Sequence, residues 1–108
     1  MHRRDVAIAG ALQDAGLSDG SAVASINATF PASWARVGRW HVIAEVAQSR
    51  AEDFWRSDST TREPAIRALA ATGAAAIIGV LSAGTETPAG WTRVPRTDAV
   101  YLLLARTR

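Results

Sequence analysis

The chain of 108 residues has no cysteine and no lysine. Without thiols there is no disulfide framework, no thiolate metal site and no cysteine nucleophile, although the absence says nothing about compartment. Without lysine, all twelve cations are arginine, and alanine is abundant. Both biases read as those of a GC-rich coding sequence. Charge of one sign is also scarce: ten acids are interleaved with the arginines and the formal net charge is only +2. Nucleic-acid binders gather cations along one face with aromatics ready to stack bases, so that role is not expected here. Arg3 and Arg4 at one end, and Arg106 and Arg108 at the other, read as solubilising ends.

Long apolar runs are missing too. The uncharged stretch from Ala68 to Thr85 approaches the length of a membrane span but is alanine-rich and broken at Gly73, Gly79 and Gly84. It reads as the end of a helix, a turn and a buried strand. Asp5 and Asp14 interrupt the opening residues, which therefore do not resemble a signal peptide. The expectation is a soluble chain that does not insert into a membrane, cytoplasmic if it stands alone. There is no internal repeat and no low-complexity tract. With 48% hydrophobic and 20% charged residues, the composition is that of one globular domain over residues 1–108.

Apolar residues Ile8, Ala11, Leu12 and Ala15 recur at helical spacing, and Gly16 sits where a left-handed cap is wanted. "AVASI" (Ala22 to Ile26) is short and almost wholly apolar, as strands covered on both faces are. "INATFPASWARVGRWHVIAEV" follows, in which a short helix opens at Pro31, faces Trp34 and Val37 one way, and stops at Gly38. Trp40 to Val46 is a second strand. "SRAE" (Ser49 to Glu52) has the form of a capping box for a helix that buries Phe54 and Trp55. Another helix runs from Thr61 to Gly73, capped by Thr60 or Thr61, with Pro64 in its first turn and Ile66, Leu69 and Ala70 on its buried stripe. Ala74 to Leu81 is a third buried strand. "WTRV" and Ala99 to Arg106 are two more, joined by "PRTD".

Strands alternating with helices call for parallel pairing through crossovers. The expected architecture is a reduced Rossmann-like α/β sandwich with helices on both faces. Three parallel strands, in an order beginning 2-1-3, are extended by a C-terminal antiparallel hairpin placed beside the third strand.

Open sheets of this kind bind ligands beyond the carboxyl ends of their strands, where the strand order reverses. Asn27, Thr29, Phe30 and Ser33 after the first strand, and Ser82 after the third, are the candidate ligand-binding residues, with Gln48 and Ser49 nearby. "INATFP" contains neither GxGxxG nor GxxxxGK[ST], so no nucleotide cofactor is expected. His41 has no second histidine or cysteine at ligand spacing, and no metal is expected. Ser25, Ser33 and Ser82 lack a nucleophile-elbow pattern, so no catalytic residue is assigned. Glu45 belongs on an exposed face or beside Arg36 or Arg39. Asn27-Ala28-Thr29 fits the glycosylation pattern by chance.

Several stretches together resemble a small α/β domain found at the end of polytopic membrane proteins of GC-rich bacteria, some of them glycosyltransferase-like. The matching residues are "GLSDGSAVASI", "ASWARVGRWHVIAEV", "DFW" (Asp53 to Trp55), "RALAATGA" (Arg67 to Ala74), Gly90-Trp91 and "VYLLLA". Asn27 stands where that pattern usually has glycine, and "PRTD" (Pro95 to Asp98) replaces its Gly-Asp-Thr turn. Asparagine tolerates the left-handed conformation well enough to preserve the first turn. The resemblance implies an accessory module working beside a membrane-embedded partner and transfers no catalytic residue.

The leading functional expectation is a non-catalytic module that binds another protein, or a copy of itself, through a sheet edge or an aromatic-bearing surface around Phe30 and Trp40. The alternative is a small-molecule-binding or catalytic remnant of a Rossmann-type enzyme, with its site at the strand ends. A pocket there would favour the second; a filled switch point with a flat apolar patch would favour the first.

Overall fold

Every residue of the strand Ala76–Val80 is buried, as is nearly every residue of Ala22–Ile26, so these two segments form the middle of a sheet covered on both sides. The computed structural model describes residues 3–28, 33–82 and 84–104, and for Gln48 the backbone alone. Along it run α1 (Arg3–Asp14), β1 (Ala22–Ile26), α2 (Ser33–Val37), β2 (His41–Val46), α3 (Gln48–Arg56), α4 (Ser59–Ala71), β3 (Ala76–Val80), β4 (Thr92–Arg93) and β5 (Ala99–Leu103). The strand order is β2-β1-β3-β5-β4. β1 is parallel to β2 and to β3, whereas β5 is antiparallel to both β3 and β4. The expected architecture, with its 2-1-3 start and appended hairpin, is the observed one.

Each sheet face has its own core. On one, Ile8, Ala9 and Leu12 of α1 and Trp34 and Ala35 of α2 pack on Val23, Ile78 and Ala99. On the other, Ala51, Phe54 and Trp55 of α3, joined by Trp91, pack on Ala24, Ile26, Ile77 and Val100. Alternation along each strand sends neighbouring side chains to opposite cores. The parallel β1–β2 pair is interrupted at Ile43, an extra residue between the pairs Val23↔Val42 and Ala24↔Ala44. This bulge switches β2 from one core to the other, with Val42 in the first and Ala44 and Val46 in the second.

α1 ends as its sequence indicates. Gly16 takes φ of +91°, Gly16 N–H donates to Gln13 O and Leu17 N–H to Leu12 O, the double closure of a Schellman motif, and Leu17 is buried. α2 ends differently from expectation. Arg39, not Gly38, is the left-handed residue, with φ of +57°. Arg39 N–H donates to Arg36 O and Trp40 N–H to Ala35 O, the same closure one residue later. Gly38 has another reason to be glycine: a Cβ there would stand 2.2 Å from the Trp40 ring, which lies across it. Trp40 is consequently 5% exposed, and its Nε1 donates to Ser18 O. The partner-facing surface expected at Trp40 is therefore corrected to core packing. Phe30, its counterpart, lies outside the described residues, as do Pro31, Arg106 and Arg108.

Two further helix starts depart from expectation. α3 begins at Gln48 with Ala47 as an N-cap that offers no side-chain bond, so Ser49 already lies inside the helix and no capping box forms. α4 is capped by Asp58, whose carboxylate accepts from Thr61 N–H at 2.7 Å, rather than by a threonine. Its Pro64 consequently falls beyond the first turn.

Candidate functional site

β1 has β2 on one side and β3 on the other. The crossover from β1 to β2 through α2 covers one face of the sheet while that from β2 to β3 through α3 and α4 covers the other, which leaves a crevice beyond the carboxyl ends. Three backbone restraints shape the β1 side. Asn27 adopts φ of +58°, the left-handed conformation expected of it, and its N–H donates to Val46 O at 3.1 Å. Ser25, fully buried, accepts the Ala28 N–H on its Oγ at 3.0 Å. The Ala28 carbonyl in turn accepts from Trp34 Nε1 at 2.8 Å. Asn27 and Ala28 are thus held from within, and the buried Ser25 hydroxyl is occupied as a backbone acceptor.

A cleft of about 330 Å³ opens beside this turn, on the face covered by α3 and α4. Asn27 borders it from β1, Ser49, Ala51, Glu52 and Trp55 from α3, and Val80 and Ser82 from the end of β3. Ser82 Oγ donates to Glu52 Oε1 at 3.2 Å, bridging the strand end and the helix. Among the described residues, Glu52 is the one charged residue lining the cleft. Its Oε2 lies 3.6 Å from Arg56 Nη2, one turn along α3, with both side chains more than half exposed.

Trp55 forms the apolar wall. It is 7% exposed and meets Phe54 and Trp91 edge-to-face at centroid distances of 5.0 and 5.1 Å. The ring approaches β3 so closely that a Cβ on Gly79 would lie 2.4 Å from Trp55 Cζ2. Among the described residues, Trp55 Nε1 is the one buried side-chain polar atom with no hydrogen-bond partner. The indoles of Trp34 and Trp40, by contrast, both donate to carbonyls.

Of the residues expected to form a ligand site, the structure brings Asn27 and Ser82 together, with Ser49 beside them. Ser33 opens α2 and does not line the cleft, and Thr29 and Phe30 lie outside the described residues. Sequence reasoning missed Glu52, assigned there to a helix cap, and Trp55, assigned to the core. Gly79 carried the available signal, since a glycine inside an apolar strand marks close approach by something large. His41 and Glu45 are exposed on β2 and do not border the cleft. No ion pair joins Glu45 to Arg36 or Arg39 among the described residues.

Larger hollows of about 630 and 610 Å³ occur elsewhere, one beside Arg36, Arg39 and His41, the other beside Arg3, Arg4 and Arg96. Neither contains a buried polar atom in want of a partner. Among the described residues, no group of histidines and carboxylates could hold a metal ion, and no helix is long and apolar enough to cross a membrane. No family model, curated protein or solved structure matches the chain.

Proposed function

We propose that the chain is a non-catalytic α/β module that binds a small molecule in the cleft beyond the carboxyl ends of β1 and β3. The observation that carries this reading is the cleft at the strand-order reversal, where Asn27, Glu52 and Ser82 gather beside the apolar wall of Trp55 and Ser82 bonds to Glu52 across it. The non-catalytic part rests on the donor set: one carboxylate with serine hydroxyls and an amide, without the histidine or second carboxylate that acid–base chemistry would use. The resemblance to a domain carried by membrane proteins supports an accessory role beside a membrane-embedded partner.

A thermal-shift screen against nucleotides, nucleotide sugars, sugar phosphates, S-adenosylmethionine and neutral polyols tests the reading. A ligand at ~100 times its dissociation constant adds about 2.7 kcal/mol, several degrees in a domain of this size. The expected result is a shift abolished by Ser82→Ala or Glu52→Gln; no shift from any class counts against ligand binding.

One observation favours a second reading, association with a protein or a second copy through β2. Its outer edge is unpaired and Ile43 there is 45% exposed. The bulge at Ile43 and the flanking His41 and Glu45 are, however, devices that blunt an edge. The opposite edge strand, β4, has only two residues. Light scattering across a concentration series separates the two readings, because edge pairing predicts dimers that Ile43→Lys abolishes.

A further inference from the structure

The cleft occupies the carboxyl ends of the parallel strands. At the other end of the same sheet two different features meet. β2 is the outermost strand on its side, and its outer edge has no neighbour among the described residues. His41, Ile43 and Glu45 are its exposed positions. Where β2 begins, an open hollow of about 630 Å³ is bordered by Arg36, Arg39 and His41, with Asp19 and Trp40 beside them. His41 belongs to both, so the edge runs directly into the hollow.

The hollow is firmly built and cationic. Trp40 Nε1 donates to Ser18 O at 3.1 Å and His41 N–H to Ser21 O at 3.0 Å, which ties the loop before β1 to the start of β2. Arg36 and Arg39 are exposed, and among the described residues neither joins an ion pair with Asp19 or with any other acid. Arg39 also holds φ of +57°, where glycine would cost less, so a guanidinium is stationed at this turn against the backbone's preference. Guanidinium groups only donate, and their fork matches the two oxygens of a carboxylate.

Charge and strand direction together define the occupant. A segment added antiparallel to β2 runs from Val46 toward His41 and brings its carboxyl end to the arginines. Added in parallel, it would bring its amino end there, where an α-ammonium group is repelled by two guanidinium groups. A second copy is the poorer fit. The bulge at Ile43 divides the edge into His41–Val42 and Ala44–Val46, which interrupts pairing with a long regular strand. A chain end needs only a few residues of edge, and it carries the terminal carboxylate that an internal strand lacks. Ile43, 45% exposed, offers it an apolar contact.

We infer that β2 and the hollow together receive the C-terminal tail of another protein, laid antiparallel along the edge with its terminal carboxylate on Arg36 and Arg39. Main-chain pairing along the edge supplies the grip and the arginines read the chain end. This rests on the reading of β2 as a protein-binding edge and is independent of the cleft.

The test uses synthetic heptapeptides with the last four positions randomised, arrayed both as free acids and as C-terminal amides and probed with the labelled protein. The strongest free-acid binder is then titrated by fluorescence anisotropy and in ¹H–¹⁵N spectra. It is expected to shift the backbone amides of His41 to Val46 saturably, and its amide should bind about tenfold more weakly or worse, the loss of a charge-assisted pair. Arg36→Gln and Arg39→Gly should each weaken the free acid by about the same factor and leave the amide unchanged. Because Arg39→Gly relieves the left-handed backbone, lost binding in that variant is not the result of unfolding. If the amide binds as well as the acid, or the arginine variants bind both alike, capture of the chain end fails while a peptide-binding β2 edge stands. If no peptide moves the β2 resonances, including the case of binding elsewhere on the surface, both fail.

Discussion

Arg39 and Arg96 hold φ of +57° and +64°, a region in which a Cβ crowds the following carbonyl. Arg39 closes α2. Arg96 follows Pro95 in a turn where Thr97 N–H donates to Val94 O, an arrangement whose third residue favours glycine. Arg39→Gly and Arg96→Gly should each stabilise the fold by about 0.5–1 kcal/mol, read as a rise in the urea midpoint. Gly38→Ala should do the reverse, by about 1–3 kcal/mol, since its methyl would be driven into the Trp40 ring. The sequence led to Gly38 as the stop for α2 because glycine is the usual left-handed residue. It could not reveal that a tryptophan two positions on would need the space. Asp58 carries the pH dependence at this scale. Its hydrogen bonds with Thr61, aided by the nearby Arg62 charge, hold its carboxyl below the ordinary value of 3.8. The unfolded chain therefore takes up this proton first as the solution is acidified. The stabilisation from the cap is fully present above pH 3.8 and is lost as pH falls below it toward the lowered folded value. Asp58→Asn, which keeps an acceptor without a titrating group, should flatten that part of the stability profile in urea titrations carried out from pH 5 down to pH 2.

Helix α4 contains two features that only an element-level view explains. Arg62, 8% exposed, turns back to donate from Nη1 to Trp55 O at 3.3 Å and to Ser57 O, satisfying carbonyls left open where α3 ends. Arg62→Ala should cost about 1–3 kcal/mol, and because the bonded carbonyl belongs to Trp55, the change should also perturb the cleft wall. Loss of stability with an unmoved Trp55 indole resonance would contradict that link. Pro64 sits in the second turn of α4, where it removes an intrahelical bond and crowds the preceding turn. Pro64→Ala should therefore stabilise, by up to about 3 kcal/mol, seen as a higher melting temperature. Strand positions were legible in the sequence because β1 and β3 are buried on both faces and so almost wholly apolar. Helix starts were less so. Ser49, Asp58, Thr60 and Thr61 are all acceptable caps in isolation, and which one acts depends on how each helix meets the sheet.

For the whole molecule, the strand order followed from alternating helices and strands, since only a few right-handed arrangements join parallel neighbours by short connections. The location of the cleft followed from that order. Its chemistry did not, because Glu52 and Trp55 meet Ser82 only once α3 has docked across the ends of β1 and β3. The antiparallel insertion of β5 has a consequence for how the fold is reached. β3 is flanked by β1 on one side and β5 on the other, so until the last strand arrives its apolar "AIIGV" edge has nothing to pair with. β4, made earlier, pairs only with β5 and cannot cover it. A nascent chain released or cleaved before Ala99 would therefore expose the least polar edge in the molecule, with the parallel half of the sheet otherwise able to form, and should precipitate rather than persist as a monomer. The final strand acts as the fold's own guard against aggregation.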